Sequence, residues 1–202
     1  MSEPFPTEFI YDEADLPGGS TWEMRRIIDA VERGEIAEDF LAFFDRDPER
    51  IPPLDPAVIL APADGLVELQ RPAGRLAQFI VHLRLTDVHV QRVPFAGRVQ
   101  SIESTGCSHF HPGDPKYWTG VQVVTTIEST LGVYRVRQLT TLITRRIETW
   151  LTPGDEVKAG QRLGRIRLGS TVILELPGDW EPLVADREKV YAAVTPLARL
   201  RP

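Results

Sequence analysis

Cysteine is almost missing from this chain, Cys107 being the only one. That excludes an internal disulfide framework and fits a reducing compartment. No apolar run approaches the roughly 20 residues that cross a bilayer, and Met1-Ser2-Glu3-Pro4 lacks the basic-then-apolar pattern of a secretory signal. The expectation is a cytoplasmic protein whose membrane contact, if any, is peripheral and on the inner face. No nucleic-acid-binding motif is present. Histidine is scarce as well, at four residues, and two of them crowd into Cys107-Ser108-His109-Phe110-His111. Without a second Cys/His pair at ligand spacing, this cluster reads as a loop, and no metal is expected.

What is present is ordinary for a soluble globular protein: 202 residues, 42% hydrophobic and 26% charged. That length buries one good core, with room for a small helical appendage. The net charge of −6 is unevenly spread. Residues 1–50 hold 14 Asp/Glu against 5 Arg, whereas residues 133–167 hold 8 Lys/Arg against 3 Asp/Glu. A basic face on an acidic protein suits anionic headgroups; a solvated strand surface has the same composition.

Residues 1–19, rich in Pro, Gly and acids, read as an extended arm. Ser20-Thr21-Trp22-Glu23 offers a capping box for a helix running to Arg33, and Ile36, Phe40, Leu41, Phe43 and Phe44 suggest a second helix ending before Pro48. An amphipathic pair packed on the body is expected; the acidic polar face argues against an interfacial anchor. Asp47-Pro48-Glu49-Arg50-Ile51-Pro52-Pro53 then forms a stiff connection. The division is residues 1–50, arm and short helices, and 51–202, a β domain.

From Val58 onward short β-like runs alternate with turns: 58–61, 65–69, 77–85, 97–102, 120–127, 133–142, 146–151, 162–167 and 171–176. The fold class is mainly β, α+β overall. Turn signals at 62–65, 129–132 and 153–155 predict hairpins in a compact β-barrel or sandwich. The run Gly154-Asp155-Glu156-Val157 to Gly164 resembles the hairpin of biotinyl and lipoyl carrier domains. Arg165, Arg167 and Gly169-Ser170 stand where a carrier needs an exposed lysine. This implies a relative of the barrel-sandwich hybrid folds without the carrier role.

Leu168-Gly169-Ser170-Thr171 lies between two such runs. Glycine leaves its own carbonyl open, so the Ser170 hydroxyl can be forced onto it; an ordinary strand bulge has the same residues. Ala61-Pro62-Ala63-Asp64-Gly65, Thr86-Asp87-Val88-His89-Val90-Gln91-Arg92-Val93-Pro94, Ala96-Gly97-Arg98-Val99, Arg145-Arg146-Ile147 and the stretch from Gly154 through Ser170 to Pro177 decide between them. In this order, across roughly residues 58 to 177, they resemble the short prokaryotic phosphatidylserine decarboxylases.

The resemblance implies a catalytic set of Ser170 as nucleophile, His89 as base and Asp64 as orienting acid. It implies self-cleavage between Gly169 and Ser170, leaving a pyruvoyl group on the new N-terminus as cofactor and electron sink. The substrate it implies is an anionic phospholipid, phosphatidylserine, yielding phosphatidylethanolamine. Asp87 is a candidate for orienting His89 or contacting substrate, with a structural salt bridge as the alternative. Arg92, Arg145 and Arg146 are candidates for the phosphate, with surface ion pairs as the alternative. Read alone, Asp64 is a turn residue and His89 a packed one. The chain lacks the family's Asn-Glu-Arg element in the loop before Gly120, which bears on headgroup specificity. An unprocessed, non-catalytic lipid- or small-molecule-binding relative and a pyruvoyl decarboxylase of a soluble amino acid derivative are the other functional readings. A homo-oligomer is compatible with all three.

Overall fold

The computed structural model describes residues 45–53, 55, 57–70, 76–84, 87–110, 114–141, 146–167 and 170–201, with backbone alone at 70, 76 and 170. The two expected N-terminal helices lie outside the described residues, as do Arg145 and Gly169.

The centre is built by Thr171-Val172-Ile173-Leu174-Glu175-Leu176. Val172, Leu174 and Leu176 are buried in the main core, while Ile173 packs on the other face with Ile80, Leu139 and Tyr117. This period of two, apolar to both sides, makes β11 (Ser170–Pro177) a strand covered on both faces. It is paired antiparallel to β3 (Leu76–Leu83) along its whole length and to β7 (Gly132–Leu139) from Thr171 to Glu175. Beyond β3 lie β2 (Gly65–Gln70) and β13 (Lys189–Val190). Beyond β7 lie β6 (Gln122–Ser129), β5 (Gly97–Thr105) and β9 (Glu156–Val157), completing an eight-stranded sheet. Two three-stranded sheets accompany it. One orders β1 (Val58–Leu60), β14 (Pro196–Leu200) and β12 (Trp180–Pro182); the other orders β4 (Val90–Arg92), β10 (Arg162–Ile166) and β8 (Ile147–Thr149).

The mainly β expectation holds, and each of the nine β-like runs contains a strand. The barrel does not. The eight-stranded sheet ends on β13 and β9, which do not pair with each other, so it stays open. The hairpin expected at 129–132 is present: Thr130 and Leu131 join β6 to β7, and Gly132 takes φ +99°, open to glycine. The hairpins expected at 62–65 and 153–155 are absent. The first turn leads from β1 to β2 and the second from β8 to β9, strands of different sheets. Turn residues mark a reversal but not the partner of the strand that follows.

Two features place the candidate residues. Segment 45–50 is strapped across β4 and β10 by ion pairs: Asp47 holds Arg92 and Arg162, Asp45 holds Arg165 at 2.9 Å, and Arg50 holds Asp64 at 2.8 Å. Gly164, in the middle of β10, allows β8 to approach so closely that a Cβ would sit 2.2 Å from the carbonyl oxygen of Glu148. We expect Gly164→Ala to lower stability by about 1–3 kcal/mol, as overpacking does, read from the midpoint of denaturant unfolding; an unchanged midpoint would mean that β8 can move away freely.

Candidate active site

His89 immediately precedes β4 and is fully buried. Its carbonyl accepts from Ile166 N–H of β10 (3.2 Å) and from Gln91 Nε2 (2.8 Å). Its Nδ1 lies 2.8 Å from the carbonyl oxygen of Asp87. A carbonyl only accepts, so Nδ1 carries the hydrogen and the lone pair of the neutral ring belongs to Nε2. Burial pushes the imidazole down to about pKa 4, with the Asp87 carbonyl and carboxylate opposing and Arg46 and Lys189 assisting. At neutral pH this histidine is an uncharged base of defined tautomer.

Side chains then link His89 to the beginning of β11. Gln91, two residues on from His89, accepts from Gln138 Nε2 of β7 (2.8 Å). Gln138 is the ladder neighbour of Val172, two residues on from Ser170. From the other direction, Ile166 is four residues before Ser170, at most about 14 Å of extended chain. His89 is thus tied to β10, the strand that precedes β11 in the chain, and through Gln91 and Gln138 to β7, the strand beside it.

Asp64 lies in the β1–β2 turn, 4% exposed. The turn is fixed to β4 by Arg92 N–H donating to Pro62 O (2.9 Å). Asp64 accepts from Ala192 N–H (2.8 Å) and from Arg50 (2.8 Å). Burial raises its carboxyl above the usual value, the two donors oppose the rise, and nearby Asp87 adds to it. The Nδ1 contact of His89 is with the Asp87 main-chain carbonyl, and the described contacts of Asp64 are those with Arg50 and Ala192. The Asp87 carboxylate accepts from Arg84 N–H (2.8 Å) and pairs with Lys189.

The arginines are placed differently from one another. Arg92 is 5% exposed, and its guanidinium donates to Gly160 O (3.3 Å), Pro48 O (3.1 Å) and Asp47. A buried guanidinium needs such partners, and a phosphate would have to displace Asp47. Arg146 has a side chain 71% exposed, with its Nε 3.5 Å from Glu148. His109, of the cysteine and histidine cluster, bonds the Thr140 hydroxyl (2.8 Å), and Cys107 is exposed.

The family model for phosphatidylserine decarboxylase matches residues 37–198. The chain belongs to the phosphatidylserine decarboxylase family. A phosphatidylserine decarboxylase proenzyme of Desulfotalea psychrophila is 35% identical over 176 residues, covering 82% of this chain and 81% of its own. Those of Pelobacter propionicus and Anaplasma phagocytophilum are each 36% identical, covering 80% and 79% of this chain and 77% and 74% of theirs.

Sequence reasoning missed several residues that this family member places near His89 and the first residues of β11. Gln91 and Gln138 were hidden because a glutamine inside a strand has no motif. On the other face of β11, Tyr117 donates to the Thr171 hydroxyl (2.7 Å), which lies 3.4 Å from His82 Nδ1, and His82 Nε2 pairs with Glu68 (2.9 Å). Alternation in 171–176 was the one available signal that Thr171 faces away from the main core.

The His89 environment has a consequence for stability. The folded pKa is depressed, so between about pH 4 and 6.5 the unfolded chain binds the extra proton and the native state does not. The stability tied to neutral His89 is complete above about pH 6.5 and is lost as pH falls toward 4, on the order of 3 kcal/mol in all. Asp64, with its raised value, acts with the opposite sign just above 3.8, and comparison of wild type with His89→Asn cancels it. The stability difference between the two, both carrying Ser170→Ala so that neither divides, should change across pH 4–6.5 in denaturant titrations; a constant difference would mean that His89 takes up its proton in the fold as it does in the unfolded chain.

Proposed function

We propose that the chain is a self-cleaving decarboxylase that converts phosphatidylserine to phosphatidylethanolamine through a pyruvoyl group derived from Ser170. The relatives' name, proenzyme of a phosphatidylserine decarboxylase, supports the reaction and the processing. The observation that carries the assignment to this chain's residues is the neutral, buried His89 joined through Gln91 and Gln138 to the start of β11. These residues fit the group: a base of fixed tautomer serves a serine at the end of a strand held on both edges.

In the precursor, His89 Nε2 takes the proton of the Ser170 hydroxyl as it attacks the Gly169 carbonyl. A low pKa keeps the ring in the basic form at neutral pH, at some cost in basicity. The Asp87 carbonyl holds Nδ1–H and so keeps the lone pair on Nε2. Asp64 keeps the β1–β2 turn against β4 through Arg50 and Ala192. The pyruvoyl group, once present, supplies the electron-accepting carbonyl for loss of carbon dioxide.

We assign phosphate contact to Arg145 and Arg146, with Arg92 available only when Asp47 releases it. Among the described residues no helix is long and apolar enough to cross a membrane. Trp150, 43% exposed just after β8 with Arg165 over its ring, is the natural peripheral contact with the lipid surface. The β domain from residue 51 carries the chemistry and residues 1–50 flank it.

The test is release of carbon dioxide from phosphatidylserine vesicles, with soluble phosphoserine in parallel. Wild type should act on vesicles, and Ser170→Ala and His89→Asn should fall to background. Release from the soluble compound alone would transfer the assignment to a soluble amino acid derivative, and release from neither would reject the decarboxylase. Arg146→Ala should raise the apparent KM for vesicles about fivefold, at about 1 kcal/mol per basic residue near an anionic surface; an unchanged KM would remove Arg146 from the lipid contact.

A further inference from the structure

The side chains of Gln91 and Gln138, both fully buried, form a chain of amides rooted on a main-chain carbonyl. Gln91 Nε2 donates to His89 O and Gln138 Nε2 donates to Gln91 Oε1, each at 2.8 Å. The root fixes every direction. His89 O only accepts, so Gln91 must present its NH2 there and its oxygen to Gln138, which must in turn present its NH2. Turning either amide over would set two oxygens against each other. The chain therefore ends in Gln138 Oε1, a buried acceptor without a hydrogen-bond partner among the described residues. Buried amide oxygens are rarely left so, and a donor arriving from outside recovers the free energy lost in burying this one.

The location limits what that donor is. Gln138 stands opposite Val172, two residues from Ser170, and next to Gln91, two residues from His89. Diagonal neighbours in an antiparallel ladder are about 7–8 Å apart, within reach of a glutamine side chain. A phosphoserine headgroup at neutral pH carries a phosphate and a carboxylate, which only accept, and one amine. The amine is its sole donor.

We propose that Gln138 Oε1 is the acceptor that recognises the primary amine of the substrate headgroup, an inference that rests on the decarboxylase reading. A neutral amide oxygen suits this task better than a carboxylate. A carboxylate would stabilise the ammonium form and hold the proton on the nitrogen, whereas an amide grips an N–H and leaves the amine able to react. Gln138 is then a specificity-determining residue, aligned by the same carbonyl of His89 that anchors the base to β10.

The test compares two vesicle-borne inhibitors of decarboxylation by the mature protein: phosphatidylethanolamine, which has the amine, and phosphatidylethanol, which lacks it. Wild type should prefer the amine-bearing lipid by tenfold or more. Gln138→Met, measured on the fraction that matures, should bring that ratio to within about twofold of one. A wild-type ratio retained in Gln138→Met, or no preference in wild type, would overturn the assignment. Should Gln138→Met fail to mature, Gln91→Met releases the Gln138 amide from its fixed direction and should also narrow the ratio; an undiminished ratio there counts equally against it. A wild type that decarboxylates no phosphatidylserine defeats the function itself and this inference with it. An active wild type with an unaltered ratio in the variants defeats only the inference.

Discussion

Main-chain hydrogen bonding along both edges of β11 is the interaction on which the rest depends. β11 lies between β3 and β7 at the centre of the eight-stranded sheet, with its apolar residues divided between two cores. The proposed break falls immediately before its first residue. The short chain so produced would contain β11, β12, β13 and β14, and three of these pair with strands of the long chain: β11 with β3 and β7, β13 with β2, and β14 with β1. The ladders would outlast the peptide link, because β11 after it is held in the eight-stranded sheet and β10 before it in a three-stranded one.

The same economy runs through the site. Main-chain carbonyls are fixed acceptors, and here they decide the state of the side chains around them. Asp87 O sets the tautomer of His89, while His89 O ties the base to β10 and orders two amides. The acids, by contrast, are committed to cations and N–H groups: Asp64 to Arg50 and Ala192, Asp87 to Lys189 and Arg84, Asp47 to Arg92 and Arg162. Charge clamps segment 45–50 and the turns; neutral hydrogen bonds connect the base to the strand end. Keeping the imidazole neutral suits a base that must accept a proton at neutral pH.

Much of this was legible in the sequence. Strands whose side chains alternate over five residues or more announced themselves, as in 171–176, and Gly132 marked a true hairpin. The strands that escaped, β4, β9, β12 and β13, are two or three residues long, too short to show a period, and β14 opens on Pro196. Turn chemistry at 62–65 and 153–155 was legible too, yet the partners of the flanking strands are set by packing among three sheets. At the site, Asp64, His89 and Ser170 belong to blocks that resemble a family, and that family is the one the chain belongs to. The Asp87 carbonyl was invisible because every residue has one. Gln91 and Gln138 were invisible because their significance lies in direction and burial, which only the assembled sheets create.

The central claim is that folding places the Gly169-Ser170 link beside a neutral base and that the chain divides there. The most direct measurement is the intact mass of the purified protein under denaturing conditions, with sequencing of the smaller species. The account predicts two chains, residues 1–169 and 170–202, the second blocked at its N-terminus by a pyruvoyl group. A single undivided chain of 22.7 kDa in a preparation that decarboxylates phosphatidylserine, or a division at any other link, would contradict it.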